Sequence, residues 1–325
     1  MSVDFKTFLS VVPHIINARF PVLVRGRHGI GKSTVVYQLA KERGMPVVER
    51  RASQMTEGDL LGLPKVEGEV TTWLAPEWLH EACNNPVVLF LDEVDRATME
   101  VRQGIFELTD SRKLNGWHLH PQTRIFAAVN GGEHGAQYQV GEMDPAELDR
   151  YTVFDVEPTV EDWLDWANNN VSTPVWDFIN QNRSHLEHVG EYEPNKVYPS
   201  RRSWKRLNDC LEQGEFLTDV KEASGGALLH LASAFVGFEA AVALNDFCAK
   251  YDDQVTIEDV IDNGEIEKTE NFGINDHCAL IDKIEAAEIL SEPLNESQIQ
   301  NLADYFVTLP SEASMKLRTV LGRGD

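Results

Sequence analysis

The sequence predicts an α/β chain: a five-stranded parallel sheet wrapped by helices, followed by an all-helical region. Two observations carry this. Short apolar runs ending in polar residues recur between helical patterns as far as Pro158, and such runs mark strands buried on both faces of a parallel sheet. Beyond Pro158 the runs stop and apolar residues fall at helical spacing.

Taken in order, residues 4–19 place Phe5, Phe8, Leu9, Val12, Ile15 and Ile16 on one helical stripe. Phe20 to Val24 reads as the first strand, Ser33 to Ala40 as a helix, and Pro46 to Glu49 as the second strand. Pro86 to Leu91 ends in Asp92-Glu93, and Arg124 to Val129 ends in Asn130. Tyr151 to Val156 is the fifth strand, and Thr98 to Asp110 reads as a connecting helix.

Two segments break the alternation. Residues 53–78, with Gly58, Gly62, Pro64 and Gly68, read as irregular, with a turn at Glu67-Gly68-Glu69. Within 113–120, Asn115-Gly116 lies between strand-like arms, a hairpin signal. After Pro158, helices are expected over 159–169, 174–186, 200–213, about 217–248, 276–290 and 296–308. The expected domains are 1–158, an α/β core, then 159–250 and 251–325, both helical.

Net charge is −24 and unevenly spread. Residues 1–150 hold 16 Lys/Arg against 20 Asp/Glu, whereas residues 151–325 hold 13 against 33. The second half therefore repels polyanions, which argues against nonspecific nucleic-acid binding there. Cys83, Cys210, Cys248 and Cys278 lie far apart without a C-x-x-C pair, so neither a zinc site nor a disulfide framework is indicated. The first residues lack a signal-peptide pattern, and Ala227 to Cys248, interrupted by His230, Glu239 and Asn245, reads as a buried helix rather than a membrane span. A cytoplasmic protein is expected.

Between the first strand and its helix stands Gly26-Arg27-His28-Gly29-Ile30-Gly31-Lys32-Ser33, which fits G-x-x-x-x-G-K-[ST] at every fixed position. Glycines let successive backbone N–H groups turn inward as an anion nest, and a helix starting at Lys32 adds its positive dipole end. Lys32 would reach the β- and γ-phosphates of a nucleotide, and Ser33 would hold Mg²⁺. Thr34 follows in the same first turn.

At the tip of the third strand, Asp92 suits a Mg²⁺ ligand acting through water, and Glu93 suits a base for the attacking water. Asn130, at the tip of the fourth, could orient that water, although Val-Asn-Gly-Gly is also ordinary turn chemistry. Arg150 is a lone cation after the acidic Asp144–Asp149 stretch. It is either an ion-pair partner of Asp149 or Glu147, or an arginine finger reaching a neighbour's γ-phosphate. Arg201, Arg202, Lys205 and Arg206 form the dense basic cluster of the acidic half, with Arg202 and Arg206 on one helix face. It either neutralises local acids or places one arginine over a nucleotide.

GRHGIGKS, LFLDEVDRA, the strand ending AAVN, DPAELDRY and SRRSW together resemble the AAA+ ATPases, and within them the MoxR-type branch close to the dynein-related AAA group. Residues 52–79 resemble that branch's helix-2 insert, and the 113–120 hairpin the β-element before its sensor 1. The resemblance covers about residues 3–240 and fades after 250. His28 and Ile30 stand where proline and threonine are more frequent.

By this resemblance the core is a P-loop AAA+ domain followed by a helical lid and a helical C-terminal extension. The cofactors are ATP and Mg²⁺; Asn130 is sensor 1, Arg150 a finger acting in trans, and Arg202 sensor 2. The implied function is an ATP-hydrolysing, ring-forming chaperone or remodelling ATPase, a homo-hexamer acting on a protein client, with a von Willebrand A-like partner. The alternatives are a nucleic-acid motor or helicase loader, against which the acidic balance speaks, and a nucleotide-bound scaffold, against which Asp92-Glu93 speaks.

Overall fold

A computed structural model describes residues 2–130, 143–251, 254–291 and 293–322. The chain divides into two compact units, Met1–Asp162 and Trp163–Asp325.

The first unit opens with strand β1 (Ser2–Val3), helix α1 (Phe5–Asn17), strand β2 (Val22–Arg25), helix α2 (Lys32–Glu42) and strand β3 (Val47–Arg51). Asp4 caps α1 by accepting the Thr7 N–H. Helix α3 (Glu57–Leu61), strands β4 (Leu63–Glu67) and β5 (Val70–Leu74), and helix α4 (Glu77–Asn84) follow. Strand β6 (Val88–Asp92), helix α5 (Met99–Ser111), strands β7 (Lys113–Leu114), β8 (Trp117–His118) and β9 (Arg124–Val129), helix α6 (Pro145–Leu148) and strand β10 (Thr152–Val156) complete it.

The main sheet has the order β1-β10-β2-β9-β6-β3, and every pairing in it is parallel. All five expected strands are present. A sixth, the two-residue β1, pairs with β10 at one edge; its two residues were too few to stand out before the α1 stripe. Alternate residues of the strands feed two cores. Val22, Val24, Val88, Phe90, Phe126 and Ala128 pack with Phe8, Val12, Val36 and Leu39 of α1 and α2. Leu23, Leu89, Leu91, Ile125, Ala127 and Val129 pack with Leu60, Leu79, Ile105 and Leu108 of α3, α4 and α5. Burial on both faces explains why these strands read as continuous apolar runs.

Residues 53–78 are more regular than expected. They contain α3, begun by a capping box between Thr56 and Asp59, and an antiparallel β4–β5 hairpin that turns at Gly68 (φ +64°). Mixed polar and apolar residues on both faces of this exposed hairpin hid its alternation. The 113–120 hairpin is present: β7 pairs with β8, and Asn115 and Gly116 both take positive φ.

The second unit is helical among its described residues: α7 (Val160–Ala167, which crosses the division), α8 (Thr173–Gln181), α9 (Arg201–Gln213), α10 (Val220–Ala223), α11 (Gly226–Val236), α12 (Phe238–Ala249), α13 (Ile257–Ile261), α14 (Ile274–Ala286), α15 (Glu296–Thr308) and α16 (Ser311–Leu321). The single helix expected over 217–248 is three. Gly237, at φ +81°, ends α11 and begins α12, and an added Cβ there would lie 2.3 Å from the Val197 carbonyl oxygen. Among the described residues, no helix is long and apolar enough to cross a membrane. The Gly131-Gly132 part of the expected turn lies outside the described residues.

Candidate functional site

Strand β2 is a central strand of the sheet, so the loop that leaves it at Gly26 emerges between β10 and β9. Gly26 has no room for a side chain: a Cβ would meet Val156 O at 2.7 Å and Ile30 Cδ1 at 2.6 Å. Its N–H donates to Val129 O at 3.3 Å, tying the loop to the β9 tip. Gly31, at φ +107°, turns the chain into α2 without a side-chain cap, so no side chain of its own occupies the helix's free N–H groups. Gly29 and Ile30 are buried, Arg27 and Ser33 half-buried, and His28 and Thr34 exposed.

Lys32, buried at the start of α2, is held by three oxygens. Its Nζ donates to Gly26 O at 2.9 Å, Arg27 O at 2.8 Å and Asn130 Oδ1 at 2.8 Å. A buried ammonium needs such partners. The structure thus brings the phosphate-loop lysine and the strand-tip asparagine together, although 98 positions separate them.

Asp92 and Glu93 close β6. The Glu93 N–H donates to Asp92 Oδ1 at 2.9 Å, and Glu93 takes a left-handed backbone conformation, φ +56°. Such a conformation is uncommon outside glycine and turns the chain sharply behind the strand. Burial raises the Asp92 carboxyl above its ordinary range, while the charge of Lys32 pulls it the other way. Asp92 therefore lies within the field of the phosphate-loop lysine. Ser53 Oγ donates to Glu93 Oε2.

The sequence reading missed Ser53. Its signal was available only through strand order, because the β3–β6 register sets Arg51 opposite Asp92 and so carries the residues after β3 beside Glu93. Asp95 was also missed: 2% exposed, it accepts the Asn130 N–H through Oδ2 at 2.9 Å.

Arg150, just after α6, donates to the Ala146 carbonyl of that helix and lies over the Phe106 ring, 5.5 Å from its centroid. Glu147, one of its two expected ion-pair partners, instead forms a buried pair with Arg102. In the second unit, buried Arg201 pairs with Glu187, Nε to Oε2 at 3.3 Å, whereas Arg202 is exposed. Arg206 lies over the Phe235 ring.

Hard oxygen donors suit Mg²⁺, which takes one or two protein oxygens alongside phosphate and water. The Ser33 hydroxyl and the Asp92 carboxylate supply donors of that kind, and the residues present fit the ion.

A glycine loop from a central parallel strand into a helix, with a buried lysine and acids on the next strand but one, defines a P-loop nucleotide-binding domain. Residues 21–151 match the family model of the dynein-related subfamily of AAA domains, which bears out the AAA+ resemblance carried by the motifs. The chain is 29% identical over 126 residues to Protein CbbQ of Hydrogenophilus thermoluteolus, covering 36% of this chain and 47% of that one. It is 29% identical over 168 residues to aerobic cobaltochelatase subunit CobS of a Sinorhizobium species, covering 46% of this chain and 49% of that one. The chain spans about half the length of these curated relatives. Two point mutants of Thermotoga maritima RuvB align over 91% of this chain and 86% of theirs, with 15% identity and a TM-score of 0.42.

Proposed function

We propose that this chain is an ATP-hydrolysing, ring-forming ATPase of MoxR type that remodels a protein client. One observation carries the reading: Lys32, Asn130 and the Gly26–Gly31 loop converge at the start of α2, where Gly31 offers no side-chain cap. A cationic group among inward-facing backbone dipoles at a helix N-terminus recognises a polyphosphate.

In this reading Gly26, Arg27, His28, Gly29, Ile30, Gly31, Lys32, Ser33 and Thr34 form the phosphate cradle. Ser33, and Asp92 through water, would hold Mg²⁺, which when bound would offset the negative charge of the nucleotide's phosphates. Glu93 takes a proton from water as the water oxygen bonds to the γ-phosphorus and the bond to the ADP oxygen breaks. Asn130, poised against Lys32, orients that water.

Arg150 acts on the nucleotide of a neighbouring copy in a homo-hexameric ring. This assignment is supported by the pairing of Glu147 with Arg102, which removes one of the two carboxylates that would have claimed Arg150. Arg202 is sensor 2, supported by its exposure while Arg201 is engaged by Glu187. Residues 159–250 serve as a lid and 251–325 as an extension with its own apolar cluster, built around Val260, Ile281, Tyr305 and Leu317. The client is a protein, recruited with a von Willebrand A-like partner, and the setting is the cytoplasm.

Equilibrium binding of a fluorescent ATP analogue with Mg²⁺ tests the reading. The wild-type chain should bind, and Lys32→Ala should bind at least about tenfold more weakly, since charge-assisted hydrogen bonds to phosphate are the strong ones. Equal affinity would remove the basis of the assignment.

A further inference from the structure

Asp95 has no part in the reading above, yet it is among the most deeply buried charged residues of the first unit, 2% exposed. It lies in the short 3-10 turn Val94–Arg96 that directly follows Glu93. Its Oδ2 accepts the Asn130 backbone N–H at 2.9 Å. Its Oδ1 is buried and has no hydrogen-bond partner among the described residues. A buried acceptor left unpaired opposes folding, so stability alone is a poor reason for a carboxylate at this position.

The geometry around it is a relay of contacts. Strands β6 and β9 are neighbours, with Leu91 opposite Ala127, so the turn after β6 comes to the tip of β9. There Asn130 is gripped at both ends: its N–H by Asp95, its side-chain oxygen by Lys32 at 2.8 Å. One residue therefore joins the turn that carries Glu93 to the lysine of the glycine loop. An amide whose main chain is fixed has far fewer positions for its side chain, and that restraint is what an oriented polar group in a site requires.

We propose that Asp95 is a positioning residue: by holding the Asn130 main chain it sets the Asn130 oxygen against Lys32 and couples the Glu93 turn to the glycine loop. The catalytic consequence rests on the ATPase reading; the structural coupling does not. Burial also pushes the Asp95 carboxyl above its ordinary range.

The full chain is compared as wild type, Asp95→Asn and Asp95→Leu, with exchange read before nucleotide is added. Asn keeps an acceptor oxygen of the same reach, whereas Leu keeps the branched outline and loses the acceptor. Amide hydrogen exchange at Asn130 is read by NMR, and kcat and KM for ATP are measured on the same preparations. Wild type should protect the Asn130 amide. Asp95→Leu should raise its exchange at least about tenfold and lower kcat about tenfold with KM changed less than about threefold, the signature of lost transition-state placement. Asp95→Asn should restore the protection and most of kcat.

A freely exchanging Asn130 amide in the wild type overturns the proposal, even if Asp95→Leu fails to fold. So does an Asp95→Leu protein that melts earlier but turns over ATP like wild type. If no form hydrolyses ATP while Asn130 exchange follows the substitutions as stated, the coupling stands and the ATPase reading falls.

Discussion

Ser53 donates a hydrogen bond to the carboxylate of Glu93 across 40 positions of sequence. The contact spans the tips of β3 and β6, and it engages an oxygen of the group assigned as general base. A base with one lone pair so occupied has less capacity to accept a proton from water. Ser53→Ala should leave ATP affinity within about twofold of wild type and raise basal turnover severalfold, an effect of order one hydrogen bond. Steady-state ATPase assays beside binding isotherms check this. A fall in kcat would mean that Ser53 orients Glu93 rather than restrains it.

Gly26→Ala should damage the phosphate loop without unfolding the chain. The new Cβ would stand 2.7 Å from a backbone oxygen of β10, which cannot rotate away. Overpacking of this kind costs about 1–3 kcal/mol, read as a lower midpoint of thermal unfolding. Nucleotide affinity should fall as well, because the loop must shift. A variant with wild-type stability and affinity would show that the close approach is not needed.

Arg150→Ala should spare ATP binding and depress hydrolysis, with roughly 10³–10⁵ as the scale set by arginine fingers in P-loop enzymes. Mixing separates the intersubunit role from a local one. Glu93→Gln keeps a finger and lacks a base, while Arg150→Ala keeps a base and lacks a finger. A mixed assembly with proven subunit exchange should recover activity that neither has alone. If exchange occurs and activity stays absent, Arg150 serves its own subunit through Phe106 and Ala146.

His277 makes stability of the second unit depend on pH. The ring is buried, its Nδ1 lies 2.9 Å from the Tyr305 hydroxyl, and burial holds its pKa below the ordinary value against the opposing pull of Asp276. A depressed folded-state pKa contributes stability above the unfolded value of about 6.5 and loses it as pH falls through the folded one. The protection factors of the α14 and α15 amides, that is, exchange corrected for its own pH dependence, should therefore fall on acidification below about pH 6.5. His277→Gln, which keeps a polar partner for Tyr305 and does not titrate, should flatten that response. An unchanged acid response in His277→Gln would place its origin elsewhere.

Much of the first unit was legible in the sequence because its determinants are local. The glycine loop, Lys32 and Asp92-Glu93 are fixed by strand–loop–helix chemistry within a few residues, and apolar strands buried on both faces leave uninterrupted runs. The β4–β5 hairpin was not legible, because its exposed strands carry Leu63, Val66, Val70 and Leu74 without a buried face to impose alternation. The break at Gly237 hid inside the weakly polar Ala227–Cys248 stretch. Ser53 and Asp95 act through partners 40 and 35 positions away, so only strand order and register could disclose them. The pairing of Glu147 with Arg102 lies across 45 positions and was hidden for the same reason.

The most direct test of the account is single-turnover ATP hydrolysis by Glu93→Gln beside wild type, with bound nucleotide quantified in the same samples. The amide keeps the shape of the side chain and the Ser53 contact but cannot take a proton from water. The account predicts saturable ATP binding in both proteins, with hydrolysis in the variant reduced by at least about 10², the usual worth of a general base. Hydrolysis by Glu93→Gln at the wild-type rate, or a wild-type chain that binds ATP and never cleaves it, would contradict it.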